Sequence, residues 1–99
     1  MAYEKNLEIG ALNELYGGLL TARQREFIRL YYDCDVSLRE MGEMSGISPQ
    51  AVRDAIRRGE RELFRIETAL KFDEKRAEIS KILAKYGGEI KKEIEEILY

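Results

Sequence analysis

Apolar residues recur along this chain at three- and four-residue intervals, the spacing that gathers side chains on one face of an α-helix. Ile9, Leu12, Tyr16 and Leu19 form the first such stripe. Gly17-Gly18 then supplies the backbone freedom that ends a helix. A second helix opens at Thr21, and Gln24 three residues later completes a capping box that satisfies orphan amides of the first turn. Phe27, Leu30 and Tyr31 are its predicted core residues, with Arg23, Arg25 and Arg29 elsewhere around it.

Tyr32-Asp33-Cys34-Asp35 is a polar break before a short third helix, predicted over Leu38 to Met44. Ser37 and Glu40 form its capping box, and Val36 is placed to pack on Met41 as a hydrophobic staple. After Ser45-Gly46-Ile47 a new helix starts with Ser48 as N-cap and Pro49 at the first helical position. Ile47 and Val52 repeat the staple. From there Val52, Ile56, Gly59, Leu63, Ile66 and Leu70 run at alternating spacings of four and three, a coiled-coil-like seam. Gly59 in that seam marks either a close crossing by another helix or a weak point. Asp73 is placed to cap a further helix carrying Ile79, Ile82, Leu83 and Tyr86. Gly87-Gly88 precedes a last amphipathic segment with Ile90, Ile94, Ile97 and Leu98.

These elements predict an all-α fold in one helical domain over residues 1–99. A helix-turn-helix would occupy about 21–63 and an amphipathic helical extension about 66–99. A helix-turn-helix needs a small residue where its helices meet, a turn residue that accepts positive φ, and apolar residues that lock the second helix on the first. Gly42 meets the first need and Gly46 the second; Met41, Ile47, Val52 and Ala55 or Ile56 meet the third. The second helix then presents Gln50, Arg53, Asp54, Arg57, Arg58 and Arg61 outward as the candidate nucleic-acid or partner-binding residues. In a DNA reader the early residues of that helix meet base edges, while arginines grip phosphate or guanine.

Composition qualifies that picture. With 99 residues, 44% hydrophobic, 36% charged and a single proline, the chain suits one small helix-rich domain. No apolar run reaches the roughly 20 residues needed to cross a bilayer. Met1-Ala2-Tyr3-Glu4-Lys5 carries an acid and no apolar core, so neither secretion nor membrane insertion is expected. One cysteine suits a reducing compartment, and the expected location is the cytoplasm. The net charge of −2 sets the chain apart from nucleic-acid binders with a bulk basic excess, so such a role must rest on a local face. From Pro49 to Arg65, five arginines face Asp54, Glu60 and Glu62, so that face is only mildly basic. Internal ion pairs on a solvated helix are the competing reading.

Enzyme chemistry finds no support. There is no histidine for general-base work or metal ligation, and the glycine pairs lack the lysine and hydroxyl context of a phosphate loop. Cys34, flanked by two aspartates and without a second cysteine, reads as a turn residue. No cofactor or metal is expected. Tyr31-Tyr32 has the ring chemistry to stack on bases, but helical spacing with Phe27 and Leu30 assigns Tyr31 to the core and leaves Tyr32 half-exposed. The apolar stripe from Ile79 to Leu98 either folds back on the first helix or pairs with a second copy as a homodimer.

Thr21-Ala22-Arg23-Gln24-Arg25, Leu30-Tyr31-Tyr32 and Ser37-Leu38-Arg39-Glu40-Met41 resemble the fourth region of bacterial sigma factors. The chain is more similar still to the YlxM proteins, small bacterial proteins with a sigma-like helix-turn-helix. The shared blocks are Leu19-Leu20-Thr21, Leu30-Tyr31-Tyr32, and Ser48-Pro49-Gln50-Ala51-Val52-Arg53-Asp54-Ala55-Ile56 with Arg58 and Glu60. The resemblance covers about residues 7 to 85; Pro49 replaces a basic residue usual in the family, and Arg53 an aromatic one. It implies an accessory or regulatory part in the signal recognition particle pathway. The partners it implies are the particle's GTPase Ffh, its receptor FtsY or the particle RNA. The alternative is a sequence-specific DNA-binding regulator using Gln50, Arg53, Arg57 and Arg58.

Overall fold

A computed structural model describes residues 2–99, with side chains from Leu7 onward. The sequence-based expectation for the N-terminal five residues lies outside the described side chains. The elements run α1 (Ala2–Tyr16), α2 (Ala22–Ile28), α3 (Leu38–Ser45), α4 (Pro49–Leu70), α5 (Phe72–Leu83) and α6 (Glu89–Leu98). Gly17–Leu19 forms one 3-10 turn and Arg29–Asp33 one π-helical turn; there is no strand among the described residues. The chain divides into two compact units, Met1–Ala69 and Leu70–Tyr99.

The caps written in the sequence are made in the first unit. The Gln24 amide donates to Thr21 Oγ1 at 3.1 Å, and the Thr21 amide donates back to Gln24 Oε1 at 3.2 Å. Ser37 and Glu40 repeat the exchange at 3.1 and 3.3 Å. Between α3 and α4, Gly46 turns the chain at φ +70°, and the Ile47 amide closes on the Gly42 carbonyl at 3.1 Å. The Gly46 amide donates to the same carbonyl, so the Gly42 oxygen takes two bonds that close the end of α3. Ser48 Oγ then accepts from the Ala51 amide at 3.0 Å and starts α4. Gly42 is needed for closeness: a Cβ there would stand 2.6 Å from the Ile47 carbonyl oxygen.

The predicted seam of α4 is the spine of the core. Val52, Ile56, Gly59, Leu63 and Ile66 are all buried along it. They pack in one cluster with Ile9, Leu12 and Tyr16 of α1, Phe27 and Ile28 of α2, and Met41 of α3. Val36 and Ile47, the two staple residues, are half-buried against this cluster. Gly59 marks a close crossing rather than a weak point, since a Cβ there would meet Ile28 Cδ1 at 2.6 Å. Two polar anchors hold α1: Asn13 Nδ2 donates to the Arg25 carbonyl at 3.1 Å, and the Tyr16 hydroxyl donates to Glu67 at 2.6 Å.

The core departs from the predicted pattern where the helical repeat changes. Leu19 is exposed, because the tighter 3-10 turn rotates it off the face that Ile9, Leu12 and Tyr16 share. After Ile28, which is fully buried and was not among the predicted core residues, the Cys34 amide bonds to the Arg29 carbonyl, five residues back. At this wide turn the assignment of Tyr31 to the core is corrected, while Tyr32 is half-exposed as expected. Tyr31 is 37% exposed, while Tyr32 is half-buried and its hydroxyl donates to Glu60 on α4. Burial first, and then that hydrogen bond, raise the Tyr32 phenol above its ordinary pKa.

In the second unit, α5 begins after Lys71 in the left-handed conformation (φ +53°), so Asp73 sits inside the first turn and is not the N-cap. Helix α4 ends just before Lys71, at Leu70, which is exposed. Arg76 is the clasp of the α5–α6 hairpin. Its guanidinium donates to the Leu98 carbonyl at 3.1 Å and lies over the Tyr99 ring at 4.4 Å, while Ser80 Oγ and the Tyr99 hydroxyl share a hydrogen bond of 2.8 Å. Of the predicted stripe, Leu83 is buried, whereas Ile79, Ile82 and Tyr86 are exposed.

This packing sets two stability outcomes. Gly42→Ala is expected to destabilise the protein by about 1–3 kcal/mol, because the added methyl meets backbone that cannot step aside without opening the turn. Gly18→Ala, at an open position, serves as the near-neutral control in the same urea titration. Tyr32→Phe is expected to cost about 1 kcal/mol through loss of the bond to Glu60. The folded-state pKa of Tyr32 is raised, so the wild-type advantage is fully present below the unfolded value near 10 and shrinks as pH rises above it. Denaturation midpoints of both proteins across alkaline pH check this; a difference that stays constant with pH contradicts it.

Candidate functional site

α4 carries its apolar seam on one side and leaves the opposite side open. Gln50, Arg53, Asp54, Arg57, Arg58 and Arg61 all lie exposed on it, as the seam requires. The structure does not gather them into one cluster. At the start of the helix, Gln50 Nε2 donates to Asp54 Oδ1 at 3.2 Å, so these two polar groups satisfy each other. Arg53 and Arg57 border one flank and Arg58 and Arg61 the other, because neighbouring side chains such as Arg57 and Arg58 diverge around a helix while Arg61, three residues on, lies beside Arg58.

The Arg53–Arg57 flank borders a groove of about 640 Å³. Ile9, Leu38 and Ile56 give it apolar walls; Tyr31 and Phe64 add aromatic rings. Tyr31 stands edge-on to Tyr32, with ring centroids 5.0 Å apart and planes at 87°. Glu8 and Glu60 also line the groove, and Glu60 is engaged by the Tyr32 hydroxyl. The opposite flank forms a shallower hollow of about 450 Å³, where Arg58, Arg61 and Arg65 meet Thr21 and Gln24 at the start of α2.

The ion-pair alternative is answered arginine by arginine. Arg65 bonds Glu62 at 2.5 Å, which holds that carboxyl below the usual carboxylate range. Arg53, Arg57, Arg58 and Arg61 make no ion pair with any described residue. The acids beside them in sequence have other partners: Asp54 accepts from Gln50, Glu60 from the Tyr32 hydroxyl and Glu62 from Arg65. Four guanidinium groups therefore stand available on α4, each with planar donors matched to phosphate.

Sequence reasoning missed Tyr31, Phe64 and Arg65 as members of this surface. Phe64 was discoverable: it stands one residue past the seam position Leu63, so an apolar ring there must point away from the core. Tyr31 carried no such signal, since its exposure depends on the π-helical turn. Cys34 is exposed, and its sulfur accepts from Arg29 at 3.3 Å.

Residues 3–98 match a family described as helix-turn-helix protein, YlxM / p13 like. The chain is similar to the UPF0122 protein of Clostridium botulinum, 38% identical over 88 residues, which are 89% of this chain and 81% of that relative. It is similar also to the UPF0122 protein of Streptococcus equi subsp. zooepidemicus, 44% identical over 93 residues, covering 90% of this chain and 82% of the relative. A UPF0122 protein of Streptococcus agalactiae serotype III is 47% identical over 70 residues, 71% of this chain and 64% of that one.

Proposed function

Because the chain belongs to the UPF0122 family of YlxM / p13-like helix-turn-helix proteins, we propose that it is a non-enzymatic accessory protein of the signal recognition particle pathway, acting in the cytoplasm and holding the particle RNA through α4. The observation that carries the mode of action is the set of exposed arginines, Arg53, Arg57, Arg58 and Arg61, with no acidic partner among the described residues. Unpaired guanidinium groups on a helix bind phosphate without first breaking an internal bond, and their planar fork limits the side-chain freedom lost per hydrogen bond formed. The pathway itself rests on the resemblance to YlxM proteins, with Ffh and FtsY as the protein partners within reach of the same complex. No helix of the described residues is long and apolar enough to cross a membrane.

The helix-turn-helix architecture favours one further reading, a DNA-binding regulator with α4 in the major groove. The pairing of Gln50 with Asp54 counts against it, because it occupies the first side chains that would meet base edges. A carboxylate in that position also faces the phosphate-lined groove. Pairing of two copies through the C-terminal helices belongs to the same proposal, supported by the exposure of Ile82, Ile90 and Ile97.

The test measures the GTPase rate of Ffh with and without particle RNA, as this protein is added. An RNA-dependent change in rate is expected, together with retention of the particle on the immobilised protein and its release by nuclease. Arg57→Glu with Arg58→Glu should weaken binding at least tenfold and flatten its salt dependence by about one unit of slope per lost phosphate contact. No change in rate in either condition, with no particle retained, overturns the proposal. Enrichment of one sequence from random duplex DNA establishes the regulator in its place.

A further inference from the structure

The groove on the Arg53 flank combines three features that simple backbone binding leaves unused. Its size, about 640 Å³, is within the range of pockets that enclose a small planar ligand. Two aromatic side chains in its wall remain open to solvent, Tyr31 at 37% and Phe64 at 40%. Two arginines without ion partners among the described residues stand beside those rings. We infer that this groove takes one unstacked RNA nucleotide, its base against Tyr31 and Phe64 and its flanking phosphates on Arg53 and Arg57. The inference rests on the reading of α4 as an RNA-binding face and adds which part of the RNA it holds.

The rings are prepared for such a ligand. Tyr32 is tied to Glu60 and packs at right angles to Tyr31, centroids 5.0 Å apart, so the Tyr31 ring has a fixed neighbour while part of it stays exposed. Phe64 projects from the middle of a 22-residue helix, two turns beyond Arg57 on the same side. Both rings already present part of their surface to solvent, so a base can reach them. Glu8 and Glu60 in the same lining exclude a phosphate from the interior, and they offer acceptors to the exocyclic amino groups of a base. Charge thus sorts the ligand: base inside, phosphates at the arginines.

This arrangement selects among nucleic acids. In a duplex the bases are stacked and paired, so their faces cannot enter a side groove. Loops and bulges of RNA present splayed bases, and stacking on aromatic rings is the common way proteins hold them. A contact of this kind tolerates several bases, because every base offers a π-face.

The experiment uses the full chain and an RNA hairpin carrying 2-aminopurine in its loop, beside a fully paired RNA duplex and a DNA duplex. Wild type is expected to prefer the hairpin and to change the 2-aminopurine fluorescence on binding. Phe64→Ala and Tyr31→Ala should each weaken hairpin binding about tenfold and abolish the fluorescence change, leaving duplex binding as it was. Phe64→Tyr and Tyr31→Phe, which keep a ring, should retain both signals, and matched circular dichroism shows that each variant folds. Equal affinity of wild type for hairpin and duplex overturns the inference, as does a fluorescence change that survives both alanine substitutions. Loss of Ffh binding in the alanine variants when no RNA is present also overturns it, by making the groove a protein site. If particle binding still depends on Arg57 and Arg58 in any of these cases, only the groove reading falls. If the particle is not bound at all, the proposed function fails instead.

Discussion

The contact on which the first unit depends is between the δ-methyl of Ile28 and the bare backbone of Gly59. A side-chain carbon on residue 59 would lie 2.6 Å from that methyl and 3.3 Å from Gln24 Cβ. α2 therefore crosses α4 closer than two ordinary side chains permit. A glycine inside a long helix costs about 1 kcal/mol relative to alanine. Complete burial of an isoleucine is worth about 1.5–3 kcal/mol, which offsets that cost. The crossing also dictates the path of the chain beyond α2: with Ile28 pinned, the next turn must widen before it can leave α4. That widening sends Tyr32 onto Glu60 and Tyr31 into the open groove.

How much of this was legible depends on whether a feature is local. The capping boxes at Thr21 and Ser37, the serine cap at Ser48 and the reversal at Gly46 are fixed by neighbours in sequence, and each forms where the sequence places it. The seam from Val52 to Ile66 was equally plain, because one uninterrupted helix keeps its repeat. The misplacements share a cause: each falls where the number of residues per turn changes. The 3-10 turn at Gly17 displaced Leu19, and at the π-helical turn from Arg29 Tyr31 leaves the core. Gly17-Gly18 announces that the helix ends but not that the next turn tightens, and Arg29–Asp33 carries no glycine or proline to announce a wide turn. The break at Lys71 was hidden for a related reason: a lysine holds the left-handed position where glycine would have announced it.

For the candidate site, the outward residues of α4 could be read from the seam alone, because a helix with one buried side has only one face left. The division of those residues between two flanks could not. It depends on what stands beside α4, the tyrosine pair on one side and the start of α2 on the other. The aromatic members were missed because the expected repeat had assigned Tyr31 to the core.

Net charge is the sequence quantity that misleads most. The chain is slightly acidic as a whole, yet many of its charges are spent locally: Glu26 on Arg29, Glu43 on Arg39, Glu62 on Arg65, Asp73 on Arg76, Glu95 on Lys91. Most of these pairs are exposed and contribute little to stability. Their arrangement matters more than their strength, because it leaves the remaining arginines of α4 uncompensated. Arg53, Arg57 and Arg61 stand four residues apart in succession, the spacing at which like charges on a helix repel. Two acids stand at the intervening turns, but Asp54 is held by Gln50 and Glu60 by Tyr32, so neither pairs with these arginines as Glu62 pairs with Arg65. A helix that otherwise obeys every local rule, from its cap to its seam, breaks this one on its open face. Such an exception is expected where a surface is shaped by a ligand rather than by folding. A polyanion lying along α4, as the proposed function requires, would turn the repulsion into attraction.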